Sequence, residues 1–293
     1  MSEMVDWDGF EVPHISSSGM TAESYYQNFK DFRDFVKKIP KRELIERGWI
    51  QHSKDMKSLV PLFNDFCSSR CKSLYRKSDS SNATLCAMWT SRVVSLASMI
   101  IGSNRIADFK GLEKSQLKEI SKLSRDTNNI RVLPDILAKL GIVLVYEKFL
   151  SGMKLDGMVC RLETGHLVIG ISFRYPRIDN FWFTLMHELA HIHLHLHLLA
   201  SPIFDDFESE ETNQDDIEIE ANNLAKISFI ERYQWKNYKQ KYESKSEDVI
   251  KFADSLGIHP AIVAGRLQKE ENKFGMYRDI VDAFDVRKEI FDD

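Results

Sequence analysis

The chain has 293 residues with 43% hydrophobic and 29% charged positions, enough apolar side chain to bury one large or two moderate cores. Thirteen glycines and seven prolines exclude collagen-like and low-complexity classes, and a mean hydropathy of -0.33 suits a soluble protein. The net charge of -4 hides an asymmetry: residues 30–131 carry 21 Lys and Arg against 11 Asp and Glu. That excess suggests an anionic partner such as nucleic acid or an acidic protein face. Solvated helix faces carry similar charge, and no RNP, KH or zinc-finger pattern accompanies it.

The opening MSEMVDWDGF is acidic, with no basic region leading into an apolar run, so a signal peptide is not expected and the location is taken as cytoplasmic. Residues 1–20 read as a loose leader. Helices are expected over Ala22–Ile39, ending at Pro40, then over Asp55–Lys77, Ala83–Ile101, Phe109–Arg125 and Val132–Leu140. The longest apolar stretch, Val93–Ile101, holds two serines and is about half of the roughly 20 residues that a bilayer-spanning helix needs, so no membrane role is expected. Cys67 and Cys71 lack a second CxxC pair and read as helix-face core thiols rather than a zinc knuckle.

The period changes after Gly141. Ile142-Val-Leu-Val-Tyr146 is a short β-branched run, and Gly157–Leu162 and His166–Phe173 flank a turn at Glu163-Thr-Gly165, which gives a strand followed by a hairpin. Asp179 or Asn180 is then an N-cap for a helix over Phe181–Leu199, stopped by Ser201-Pro202. An acidic loop over Asp205–Asp216 precedes helices at Asp216–Tyr233, Ser246–Leu256 and Pro260–Glu271. The chain thus reads as a helical region, 1–130, and an α+β domain, 131–293.

The chemistry centres on His187-Glu188-Leu189-Ala190-His191. On a helix His187 and His191 fall within about 40° of each other, so both imidazoles reach one zinc ion. Glu188 sits beside that face as general base for metal-bound water and later as acid for the leaving amine. Hydrolytic zinc takes a third protein ligand. His197 fits the metzincin spacing, but position 194, where that motif needs glycine, is Leu194. Glu218 is the better candidate. On a helical wheel it shares a face with Ala221, Leu224, Ala225 and Phe229, whereas Glu220, the fallback ligand, lands among Asp216, Asn223 and Ile227. Small Ala221 and Ala225 allow close approach to the His187 helix, and Asn222 is placed to accept a hydrogen bond from a ligand imidazole.

Phe181–His191, His195, Glu218-Ile-Glu-Ala-Asn222 and Leu224-Ala225, with Gly141–Tyr146, Ile171–Arg174 and Asp179 upstream and Gly257–Gln268 downstream, together resemble the ImmA/IrrE-type metallopeptidases. The resemblance spans roughly residues 130–275. It implies a zincin-like fold with one zinc per chain held by His187, His191 and Glu218, and Glu188 as base. It also implies cleavage of a cognate helix-turn-helix repressor, releasing genes for mobile-element transfer, stress response or phage defence. Lys41–Ile50 resembles the stretch that follows the DNA-binding domain in HigA-like antitoxin fusions, where regulation without hydrolysis is the alternative. Only 40 residues precede it, so the chain reads as a detached peptidase half whose partner is supplied separately.

Further expectations concern the surroundings. The strand His166–Phe173 is expected to act as an edge to which a substrate strand adds. Arg174 and Tyr175 at its end are either oxyanion stabilisers or ordinary turn residues. Of His193, His195 and His197, only His195 shares the side of the motif histidines, as a packing or supporting residue. Cys160 is either an inert buried thiol or a thiolate that reaches the zinc.

Overall fold

The computed structural model describes residues 22–50, 59–68, 81–103, 106–199, 203–205, 216–238 and 245–291. The expected leader, Cys71 and most of the acidic loop lie outside them. Helices α1 (Ala22–Lys38), α2 (Lys41–Glu46), α3 (Leu59–Ser68), α4 (Ser81–Ser103), α5 (Lys114–Lys122) and α6 (Asn129–Lys139) precede strands β1 (Ile142–Tyr146), β2 (Gly157–Arg161) and β3 (Leu167–Ile171). Then come α7 (Ile178–His195), β4 (Ile203–Asp205), α8 (Asp216–Phe229), α9 (Arg232–Asn237), α10 (Ser246–Leu256), α11 (Pro260–Glu271), α12 (Arg278–Val281) and α13 (Val286–Phe291). The protein is α+β, as its periodicities imply.

Two compact units are present, residues 1–92 with 149–154, and residues 93–148 with 155–293. In the first, Glu43 on α2 pairs with Arg47 and accepts the Ser151 amide at 3.0 Å, while Arg47 donates to the Phe149 carbonyl. This segment therefore clamps residues 149–154. Edge-on contacts of Phe63 with Phe32 and Phe35 hold α1 to α3.

Residues 83–103 of α4 are long and apolar enough to cross a membrane by length and composition, with mean hydropathy 1.4. The expectation from Val93–Ile101 alone therefore underestimates the run, because serines and threonines flank it and Arg92 is the only charge. Within the protein 44% of that window is buried, including Met88, Trp89 and Val93.

The second unit is built on a sheet of order β1-β3-β2-β4. β2 and β3 form the expected antiparallel hairpin, with Val159 opposite Ile169, and β1 adds to β3 in parallel. The interior position of β3 corrects the expectation for His166–Phe173. Its backbone groups are spent on β1 and β2, so no edge remains there for a substrate strand. β4, opposite β2, is three residues long and has no alternation for sequence to reveal.

Alternation sorts the strand side chains. Ile142, Leu144, Val159, Leu167, Ile169 and Ile171 join the core beneath α7, with Trp182, Leu185 and Leu189, each such side chain contributing about 1.5–3 kcal/mol by burial. Leu117, Ile120, Ile130 and Leu133 of α5 and α6 belong to the same core. Gly141 turns the chain from α6 into β1 at φ +81, and a Cβ there would meet the Phe109 backbone at 2.5 Å, so no other residue fits. α7 begins one turn earlier than expected, with Arg177 as N-cap and Asp179 in its first turn. The free amides of that turn attract the Asp179 carboxylate.

α11 is capped by His259, whose Nδ1 accepts the Ala261 amide at 3.2 Å, with Pro260 opening the helix. Only a neutral ring accepts this bond, and burial holds His259 below its ordinary 6.5. The folded state therefore resists a proton that the unfolded chain takes up near pH 6.5, and the cap's contribution is full above that pH and declines below it. The melting temperature is expected to fall between pH 7 and pH 5, with a shallower slope in His259→Asn, whose carbonyl caps at any pH. Identical slopes in melts of the two proteins would exclude this role.

Candidate metal centre

α7 carries His187 and His191 one turn apart, both fully buried, and α8 packs across it through Ala221 and Ala225, which have no exposed surface. The two small side chains let the helices approach closely. The imidazole Nε2 atoms lie 2.9 Å apart, Glu218 Oε2 is 3.1 Å from His187 Nε2, and Glu218 Oε1 is 3.3 Å from His191 Nε2. Among the described residues these three form the group whose donor atoms lie within 4.8 Å of one another. Ligands about 2.0 Å from a tetrahedral cation stand about 3.3 Å from each other, so the spacing and the N, N, O donor set fit a divalent metal. Lone pairs from two rings and a carboxylate directed at one point are stable together around a positive charge.

The protonation states agree with that geometry. Burial pushes the Glu218 carboxyl upward, but hydrogen bonds and charge from His187 and His191 outweigh it and hold Glu218 at about 2. Burial lowers His187 further than Glu218 and Asn222 raise it, which keeps the ring neutral and its lone pair available.

The second ring nitrogen of His191 is also engaged. Facing a cation through Nε2, His191 carries its proton on Nδ1 and donates to His195 Nδ1, 3.2 Å away. His195 then carries its proton on Nε2 and donates to Glu220 Oε2 at 3.1 Å. Glu220, the alternative ligand, instead ends this chain of hydrogen bonds at the surface, with 63% of its side chain exposed. Asn222 acts on His187 to favour its charged form, as its position one turn after Glu218 anticipates.

Glu188 is fully buried against the start of β2. A Cβ at Gly157 would collide with Glu188 Oε1 and meet Thr184 Cγ2 at 2.6 Å. Gly157 therefore makes the room that the Glu188 carboxylate occupies. Sequence reasoning had no signal for this role, because Gly157 and Glu188 are adjacent only once the sheet lies on α7.

Other candidates fall elsewhere. Cys160 is a buried thiol outside any disulfide on β2, three residues after Gly157 and hence on the opposite face of the sheet. Arg174 lies 3.7 Å from Asp156, both nearly buried, and its guanidinium stands 5.1 Å from the Tyr175 ring centre. His193 donates to the Leu112 carbonyl at 2.6 Å. His197 is exposed in the 3-10 turn Leu196–Leu198, away from the ligand face, because without a glycine at 194 the helix continues to His195.

An α+β scaffold carrying two helix-borne histidines, a carboxylate from the next helix and a buried glutamate beside the first histidine is that of a metallopeptidase-like protein. Residues 137–268 match the family described as IrrE N-terminal-like domain, Peptidase_M78. No curated protein matches the chain.

Two predictions follow from the geometry. His195→Ala is expected to weaken binding of a divalent metal about 10–100-fold, and Glu220→Gln by less because its amide oxygen still accepts. Competition with a chromogenic chelator measures both, and an unaltered His195→Ala affinity would exclude the supporting role. Gly157→Ala is expected to cost about 1–3 kcal/mol in folding stability and to displace Glu188 while metal affinity holds. Thermal melts alongside the same chelator titration would reveal either effect.

Proposed function

We propose that the protein is a cytoplasmic zinc endopeptidase that cleaves a cognate helix-turn-helix repressor and so derepresses a stress, mobile-element or phage-defence operon. The observation that carries the reading is the convergence of His187, His191 and Glu218, with Glu188 buried one residue from the first ligand. The core is read as zincin-like on the same ground. Zinc bound there would polarise the scissile carbonyl and acidify a water. Glu188 would accept a proton from that water and return it to the leaving nitrogen. Glu218 offsets the charge of the metal, and His195 with Glu220 holds the His191 ring in one tautomer.

The substrate is a protein segment, as the peptidase family implies. We also propose that the basic segment 30–131 receives a nucleic acid or another anionic activator. The support is its charge excess, tempered by Lys118, Arg125 and Arg131, which pair with Glu231, Asp254 and Glu289.

The test mixes zinc-loaded protein with the repressor-like product of the neighbouring gene and follows intact masses. Wild type is expected to give two fragments. Glu188→Gln should lower the rate about 10²–10⁴-fold while retaining zinc, and Glu218→Gln should lose the metal. A stable complex that neither wild type nor Glu188→Gln cuts would instead establish a non-hydrolysing regulator.

A further inference from the structure

The sheet has two edges, β1 and β4, and the one formed by β4 covers the strand that meets Glu188. The backbone of β2 turns alternate residues to alternate sides. Leu162 donates its amide to the His166 carbonyl, and the Asp156 carbonyl accepts the Ser172 amide at 3.0 Å, so the even-numbered residues of β2 bond to β3. The odd ones turn the other way, as the Arg161 amide does in donating to the Leu199 carbonyl at 2.7 Å. Gly157 and Val159 therefore direct their N–H and C=O groups at β4, opposite Asp205 and Ile203.

Gly157 thus has two kinds of neighbour at right angles. Normal to the sheet, the space of its missing side chain is filled by Glu188 Oε1 and Thr184 Cγ2. In the plane of the sheet its main chain is taken by β4, about 4.8 Å away. An extended polypeptide laid along this edge would pass beside the buried glutamate with its own carbonyls fixed by main-chain bonds. The chain itself fills that position. β4 comprises only Ile203–Asp205 and, among the described residues, pairs with β2 alone. Few main-chain bonds hold it, and so short an edge strand is displaced by local opening rather than by unfolding. Its tethers lead back to α7, which bears His187 and His191, and on to α8, which bears Glu218. Leaving β2 therefore lengthens the connection between two packed helices and undoes neither.

We propose that β4 is an internal occupant of a strand-addition site on the outer edge of β2, and that an extended polypeptide binds at the metal centre by taking its place. The proposal rests on the peptidase reading for its polypeptide ligand. Gly157 and Val159 are the residues whose main chain pairs with that ligand. β4 is an autoinhibitory strand, and apparent affinity falls in proportion to the fraction of molecules in which the edge is open. Strand addition thus moves by one strand from the expected His166–Phe173, to a neighbour with an edge to offer.

A redox-reversible lock tests this. Met158 and Phe204 are opposite residues that do not exchange hydrogen bonds, the pairing in which Cα atoms stand about 4.5 Å apart and within disulfide reach. Met158→Cys with Phe204→Cys is made in zinc-loaded Glu188→Gln protein, closed with diamide and reopened with tris(2-carboxyethyl)phosphine, and peptide mapping verifies the link between positions 158 and 204. Each form is immobilised and exposed to a pool of random dodecapeptides, N-acetylated and C-amidated. The reopened form is expected to retain about tenfold more peptide than the closed one, the factor for an edge open in about one molecule in ten. Asp205→Pro, which deletes the amide facing Gly157, should raise retention by a similar factor over the protein with β4 intact. The two redox forms share one sequence, so a packing defect cannot produce the difference between them. Equal retention by the closed and reopened forms, or no retention by any form, overturns the proposal. Zinc uptake, and cleavage by the same variants carrying Glu188, are measured in parallel. Failure of the peptidase reading would appear as absent uptake or intact peptides, whether or not retention depends on the lock.

Discussion

Three donor atoms held about 3 Å apart set the terms for the second unit. Two imidazole lone pairs and a carboxylate turned toward one point are best satisfied by a shared cation, and the surrounding structure brings them together from two different helices. The His187 helix supplies two donors at a one-turn spacing, and the Glu218 helix crosses it through alanines that bring the carboxylate within reach. Replacing Ala221 or Ala225 with a larger residue would push Glu218 outward. Close packing here is therefore a condition of the site itself.

The sheet contributes by what it leaves out. β2 begins with Gly157, and the missing side chain makes room for Glu188. β3, buried between β1 and β2, forms a rigid floor beneath α7 with no free edge. On the other side, His195 and Glu220 carry the orientation of His191 to the protein surface. His191 is thus fixed from behind as well as toward the metal, which limits the reorganisation that binding requires.

Much of this was legible in the residues. The alternation after Gly141 marked the hairpin, the spacing of His187 and His191 placed both on one helix face, and the wheel of the following helix separated Glu218 from Glu220. These are local regularities, fixed by 3.6 residues per turn and by the two-residue repeat of a strand. The membrane criterion was misjudged at α4 because unbroken apolar runs undercount helices laced with serine and threonine. The tertiary structure alone decided that β1 inserts beside β3 and removes its edge, that Gly157 faces Glu188, that Glu220 ends on His195, and that Cys160 lies on the far side of the sheet. These pairings join segments distant in sequence. Their partners are chosen by the packing of the whole core, which no window of local sequence encodes.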